Sequence, residues 1–397
     1  MKQEIVILAR SLPHHGLGGM EVVAWDLAVE FARLEYPVRV ITTSLPDRRG
    51  EFEQDGVYVV PLAKASSGRY SRAWWRESRH YFSAHCMDTT LAVLSVSAAA
   101  FGILPLKKHM PDVPFIMQAH GTSWGEVISK WRSKRLRSLL GSAKNIAWLP
   151  KDMHAYRKFD AVIAVGERVF KDLRRVPVNW ALPENHVHLM KNGIDTAIFH
   201  PSMENRVKVR EYLGISGSTS VIISASRLHA QKGIVQGLKS FAKILGKFPD
   251  AVYLIAGDGP ERERLETLAN DLDIIHSVRF LGAIKRNELA QFLQASDVFL
   301  FLTERIEVGV TLNVMEALST GLPCVVSDHL SLPVSSYIYK VRPSVSSAVE
   351  EAVFFQLSRN DWRFSESNLP SQYALRYVAE NYLKVMAINR EVPPSTL

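Results

Sequence analysis

A short apolar run, a loop, an amphipathic helical stretch and a second apolar run open this chain, and the same series begins again near residue 221. Ile5–Leu8 reads as a strand and SLPHHGLGG (11–19) as a loop. Residues 20–34 read as a helix with Val22, Val23, Leu27, Ala28 and Phe31 at three-to-four spacing, and Val38–Thr42 as the next strand. Such strand–helix–strand units close as parallel crossovers. Runs at 57–62, 90–96, 114–118 and 161–165 continue the first series. The second has strands at 221–225, 251–256, 278–281, 298–302 and 323–327, with helices at 231–247, 261–272, 286–295 and around 316–319. Unbroken apolar runs suit parallel strands buried on both faces. The expected fold is therefore α/β: two Rossmann-like doubly wound domains, 1–196 and 197–370. A helix over 371–397 is expected to pack back toward the first domain and end in a loose tail. Ligands of such sheets lie outside the carboxyl ends of the strands, so site residues belong in the strand-to-helix loops, facing a cleft between the domains.

The remaining composition narrows the class. Two cysteines, Cys86 and Cys324, build neither a disulfide framework nor a four-ligand zinc site, which favours a reducing cytoplasm. The first apolar run is too short for a signal peptide. Thr90–Leu106 is uncharged but interrupted by Ser95, Ser97, Gly102 and Pro105, and reads as a buried strand leading into a helix rather than a membrane span. Residues 1–195 hold 27 Lys and Arg against 19 Asp and Glu, whereas 196–397 hold 21 of each. All of the net charge of +8 therefore lies in the first half, which points to an anionic partner there.

Four loops carry candidate chemistry. In the first, Gly18-Gly19 precedes a helix whose free N–H groups suit a phosphate. Arg227 and Lys232 share one strand-to-helix loop, a fork and a point charge able to meet one diphosphate; the alternative is a solvated basic loop. Gly257-Asp258-Gly259-Pro260 is a turn in which Asp258 serves its own backbone. In TERIEVGVTLNVMEALSTGLP (303–323), Glu316 can accept two hydroxyl hydrogen bonds, as a ribose diol offers. His14, His15 and Glu126 are expected to be ordinary loop or surface residues.

Taken together, these segments resemble glycosyltransferase family 4, retaining enzymes of the GT-B fold that use nucleotide-sugar donors. Asn192-Gly193-Ile194-Asp195 with Phe199 and Pro201 is similar to the family's N-G-I/V-D…F-x-P junction. Ser226-Arg227…Lys232-Gly233 matches its diphosphate clamp, Gly257-Asp258-Gly259-Pro260 its G-x-G-P turn, and Phe280-Leu281-Gly282 the segment beside the base. Glu316-Ala317-Leu318 with Gly321 and Pro323 matches E-A-hydrophobic…G-x-P. Gly18-Gly19-Met20-Glu21 resembles the loop at the donor phosphates, and Ala119-His120-Gly121 the H-G segment near the donor sugar.

The resemblance implies that the first domain binds acceptor and the second binds donor. Arg227 and Lys232 would stabilise the departing diphosphate, aided by backbone at Gly19, Gly309, Val310, Thr311 and Leu312. Glu316 would hold the ribose, and His120 and Glu307 would orient the donor sugar. No cofactor or metal is implied. Two departures stand out. The family's E-x7-E places its first Glu at 308, where this chain has Val308 with Glu307 one residue earlier. Either a one-residue shift brings Glu307 to the sugar or that contact is lost. Residues 327–347 also keep neither of the family's G-G-x-P-E and G-hydrophobic-hydrophobic-x-P segments.

Partners are then a nucleoside diphosphate-sugar, such as a UDP- or GDP-sugar, and a saccharide or lipid-linked acceptor, with no nucleic acid. The implied activity is hexosyl transfer in bacterial glycan or glycolipid synthesis. A non-hydrolysing nucleotide-sugar epimerase and a degenerate nucleotide- or polysaccharide-binding module are the alternatives. Two basic, Trp-containing clusters fit a cytoplasmic protein that touches an anionic inner membrane face. One contains Trp74 and Trp75; the other contains Lys130, Trp131, Arg132, Lys134 and Arg135.

Overall fold

A computed structural model describes residues 3–16, 18–132, 147–304, 311–358 and 366–387, without the side chains of 126 and 129–132. The chain divides into two compact units, residues 1–193 with 375–397 and residues 194–374. The boundary falls at 193/194 rather than 196/197, and the segment that rejoins unit 1 starts at Leu375 rather than at 371.

Unit 1 holds strands β1 (Glu4–Leu8), β2 (Val38–Thr43), β3 (Phe52–Gln54), β4 (Val57–Leu62), β5 (Thr90–Val96), β6 (Phe115–Ala119), β7 (Ala161–Ala164) and β8 (Val187–Leu189). They form one sheet in the order β3-β4-β2-β1-β5-β6-β7-β8. All pairs are parallel except the β3–β4 hairpin. Helices α1 (Gly19–Arg33), α2 (Arg72–His85), α3 (Ser123–Arg132), α4 (147–156 of the described residues) and α5 (Glu167–Leu173) cover its faces. β1 is buried along its whole length, which its uninterrupted apolar sequence foreshadows. On α1, Val23, Leu27 and Phe31 are buried at the helical period.

Unit 2 holds α6 (Met203–Tyr212), β9 (Val221–Ala225), α7 (Ile234–Ile244), β10 (Val252–Ala256), α8 (Arg262–Asp271), β11 (Val278–Gly282) and α9 (Arg286–Ala295). It continues with β12 (Val298–Phe301), α10 (Leu312–Ser319), β13 (Cys324–Ser327), β14 (Ile338–Val341) and α11 (Ser346–Ser358). Its sheet runs β11-β10-β9-β12-β13-β14, all parallel. This is the doubly wound dinucleotide-fold order, which reverses between β9 and β12. In unit 1 the same reversal falls between β1 and β5. α12 (Leu375–Val385) belongs to unit 1, where Val378, Ala379, Tyr382 and Leu383 join the core that α1 covers.

Three short strands lie where the sequence shows no clear run: β3, β8 and β14. The expected helix 231–247 begins instead at Ile234. Gly233 takes φ +74°, so the chain first makes a single turn over Ala230–Lys232 and then re-aims into α7. The stretch after β5 folds as short 3-10 turns, Ser97–Gly102 and Leu104–His109.

Candidate functional site

In unit 2 the loop from Ser226 to Gly233 leaves the carboxyl end of β9, at the sheet's reversal point. Leu228 is fully buried and bolts it down: its N–H donates to the Asp258 carbonyl (3.0 Å), and its own carbonyl accepts from Glu261 (3.3 Å). Arg227 on one side is left exposed. Lys232 on the other lies over the Phe301 ring, 5.4 Å from its centroid. Ser226 Oγ is buried and makes no hydrogen bond. Two glycines are sterically required here. A Cβ on Gly233 would drive into the Leu302 carbonyl, and one on Gly257, at φ +132°, into the Ser226 carbonyl. Gly257 N–H also donates to Gly282 (2.8 Å), joining the β10 and β11 loops.

After β12, Thr303 Oγ1 and Glu304 N–H both donate to the Gln231 carbonyl at 2.9 Å, and Asn313 Nδ2 ties α10 to the end of β9 (2.7 Å to Ala225 O). Thr311 and Leu312 thus start α10 beside the clamp loop. Glu316 is buried on α10, with Oε1 3.4 Å from the Arg286 guanidinium, which itself lies over Phe199. Glu307, Gly309 and Val310 lie outside the described residues.

In unit 1, β6 delivers His120. Its Nε2 meets Gln118 Oε1 at 2.8 Å, and Gln118 Nε2 donates to the Tyr382 hydroxyl at 2.8 Å. Because the Gln118 amide nitrogen is committed to Tyr382, its oxygen must accept from His120, so Nε2 carries the proton and Nδ1 is left as an acceptor. Burial, reinforced by the nearby Arg10 charge, lowers the His120 pKa to about 4, so the ring is neutral. The loop after β1 is held from beneath. Leu12 N–H donates to His15 Nδ1 (3.0 Å), His15 Nε2 meets Thr43 Oγ1 (2.9 Å), and Thr43 donates to the Arg10 carbonyl (2.7 Å). His15 is therefore a structural brace rather than an ordinary loop residue. Ser97, just past β5, takes φ +54°, a conformation costing a non-glycine residue about 1 kcal/mol or more.

Gly18 precedes α1 in extended backbone, but the Glu21 carboxylate folds back against it and accepts from Ser11 Oγ (2.8 Å). The amino end of α1 is thus already supplied with a negative group. Trp74 corrects the expected membrane contact: it is fully buried, with Nε1 donating to the Ala99 carbonyl (3.1 Å). Trp75 is half-buried, sandwiched between Tyr70 and Phe101. Lys134 and Arg135 lie outside the described residues, as do the side chains of Lys130, Trp131 and Arg132. Among the described residues no helix is long and apolar enough to cross a membrane, and no three His, Cys, Asp or Glu cluster as metal ligands.

The Glycosyltransferase Family 4 profile matches residues 17–198, and that of glycosyl transferases group 1 matches 205–335. N-acetyl-alpha-D-glucosaminyl L-malate synthase of Bacillus anthracis is 31% identical over 328 residues, 78% of this chain and 75% of that protein. The chain belongs to glycosyltransferase family 4. The D-inositol 3-phosphate glycosyltransferase of Corynebacterium urealyticum is 25% identical over 417 residues, covering 95% of this chain and 91% of that one. Anabaena Alr3699/HepE, solved in complex with UDP and glucose, shares the fold with a TM-score of 0.64 at 17% identity, covering 98% of each chain. This family 4 chain is a glycosyltransferase of the GT-B fold.

Local sequence patterns mark the Ser226–Gly233 loop, the glycine turns and His120, whereas no local motif marks Arg10, Gln118, Tyr382 or Ser97.

Proposed function

We propose that this enzyme transfers a hexose, with retention of anomeric configuration, from a nucleoside diphosphate-sugar held by unit 2 to a saccharide or lipid-linked acceptor recognised by unit 1. The observation that carries the reading is the Ser226–Gly233 loop at the reversal point of the unit 2 sheet. It offers two cations and a buried hydroxyl without a partner, in a loop cross-packed on its neighbours through glycines that admit the Leu302 and Ser226 carbonyls. Arg227 and Lys232 stabilise the diphosphate as its charge grows in the transition state. Glu316, oriented by Arg286, receives the ribose. Neutral His120 accepts a donor-sugar hydroxyl through Nδ1, and Glu307 is the carboxylate assigned to the same sugar. UDP in the HepE complex supports a nucleoside diphosphate as the product held there. The basic excess of unit 1, densest in sequence over Lys130, Arg132, Lys134 and Arg135, is the charge we assign to an anionic membrane partner.

Arg227→Ala and Lys232→Ala are expected to lower turnover about 10²-fold or more, the usual effect of losing one transition-state charge contact, with the fold intact. Product analysis with a panel of UDP- and GDP-sugars reads the outcome. Wild-type turnover in both variants sinks the donor assignment, and an epimerised nucleotide-sugar as product replaces transfer with epimerisation.

A further inference from the structure

Among the described residues of unit 1, Arg10 is a charged side chain with a buried polar atom that has no hydrogen-bond partner. It stands immediately after β1, at the carboxyl end of the strand where the sheet order reverses, which is where ligands of this topology bind. Its guanidinium lies over Tyr70, 5.2 Å from the ring centroid, and Tyr70 in turn stacks on Trp75 at 5.2 Å. Its Nε is buried without any hydrogen-bond acceptor, and no carboxylate among the described residues pairs with it. Other arginines of this unit behave differently: Arg39 is held by Glu4 at 2.9 Å, and Arg174 pairs with Glu184. A guanidinium cannot shed its proton, so one that is half-buried and unpaired carries a standing desolvation cost. That cost is offset when an oxyanion fills the fork.

The surroundings also keep the fork in place and aim it. The Arg10 carbonyl is pinned by Thr43, which His15 and Gly68 N–H hold from two other sides. The aromatic platform fixes the guanidinium plane. His120, the sugar-directed residue of the proposed reaction, is close enough to feel the Arg10 charge, and its ring is fixed by Gln118 and Tyr382. Since His120 stays neutral, Arg10 is the cation of this pair. A sugar hydroxyl could accept from it, but an oxyanion makes the stronger, charge-assisted bond and also neutralises the charge.

We propose that Arg10 is the oxyanion-recognising residue of unit 1, so that the substrate presented beside His120 carries a phosphate or carboxylate. The inference rests on unit 1 being the acceptor side of the proposed reaction. The oxyanion has two possible sources, an anionic acceptor or the donor diphosphate.

The test uses the full-length protein as wild type, Arg10→Gln, Arg10→Lys and, as a unit 2 control, Arg227→Ala. Calorimetry measures glucose 6-phosphate, glucuronate and glucose, each with and without saturating UDP or GDP, and then UDP and GDP alone. With an acceptor source, the two anionic sugars bind wild type at least tenfold more tightly than glucose. Arg10→Gln erases that margin, Arg10→Lys restores part of it, and Arg227→Ala leaves it intact. With a donor source, Arg10→Gln instead weakens UDP or GDP about tenfold. An Arg10→Gln protein that melts like wild type and binds every anion within twofold of it overturns the proposal. Absence of glycosyl transfer with Arg10-dependent anion binding intact would instead count against the proposed reaction alone.

Discussion

Unit 2 ties the loops after β9, β10 and β11 to one another chiefly by backbone, whereas unit 1 fixes the ends of β1 and β6 chiefly by side chains. In unit 2 the β9, β10 and β11 loops are cross-linked through Leu228, Asp258, Gly257 and Gly282 main-chain groups, with glycines where carbonyls press close. In unit 1 the β1 and β6 loops hang on His15–Thr43 and His120–Gln118–Tyr382, the latter pair joined across 264 residues of sequence. Both units share the reversal of strand order. The difference suits the ligands each is proposed to meet. A nucleoside diphosphate is the same for many donors and is well served by fixed N–H groups, while an acceptor is recognised by side chains that can be exchanged without remaking the fold.

The strongest way to break this contrast is to add one methyl group to each unit. Gly233→Ala puts a Cβ into the Leu302 carbonyl at φ +74°. Strain and clash together are expected to destabilise by about 3 kcal/mol or more. Gly121, beside His120 in unit 1, has open space where a Cβ would stand, with no atom within 4 Å. Gly121→Ala is therefore expected to stay within about 0.5 kcal/mol of wild type. Chemical denaturation of both variants decides it, and equal losses would erase the distinction.

A matched pair of buried tyrosines sharpens it. Tyr382 meets Gln118 in unit 1, and Tyr253 meets Ser224 Oγ at 2.8 Å in unit 2. Each Tyr→Phe change removes one buried hydrogen bond and is expected to cost about 1–2 kcal/mol. Their effects on transfer should differ. Tyr382→Phe frees the Gln118 amide and lets the His120 ring turn, so kcat falls severalfold with little change in donor KM. Tyr253→Phe leaves transfer unchanged, because Ser224 still donates to the Leu300 carbonyl. Steady-state kinetics at saturating donor read both, and an unaltered kcat for Tyr382→Phe would remove the relay.

What was legible in the sequence follows the same division. The doubly wound order was readable because strands buried on both faces carry unbroken apolar runs, as Ile5–Leu8 of β1, Val221–Ile223 of β9 and the whole of β12 do. β3 (Phe52-Glu53-Gln54) and β14 (Ile338-Tyr339-Lys340-Val341) are edge strands with exposed or half-buried faces, so no apolar run announces them. Arg227, Lys232 and Gly257 could be grouped because one loop, or two neighbouring ones, holds them all. Arg10, Gln118 and Tyr382 could not: a single Arg after a strand has no signature, and the Gln118–Tyr382 bond depends on α12 returning to unit 1. Trp74 misled because a basic, Trp-bearing helix has the same pattern whether its indole meets lipid or, as here, the turn over Ser97–Gly102.

The smallest expected effect concerns acid. Three histidines with lowered pKa, His15, His120 and His188, all lie in unit 1, each held down chiefly by burial. For His120 the folded value of about 4 lies below the ordinary imidazole value of 6.5 that an unfolded chain would show. Between those values the unfolded state binds the extra proton, so this contribution to stability is complete above pH 6.5 and is lost as pH falls toward 4. From pH 7 to pH 5.5 the loss should be about 1 kcal/mol. His120→Gln removes the titrating ring and should flatten that part of the profile, whatever it does to stability at pH 7. Urea unfolding of wild type and variant at the two pH values isolates this contribution, since every other titrating group is common to both. A wild-type profile no steeper than that of His120→Gln would mean that the ring is free to charge, and the neutral acceptor nitrogen assigned to the donor sugar would go with it.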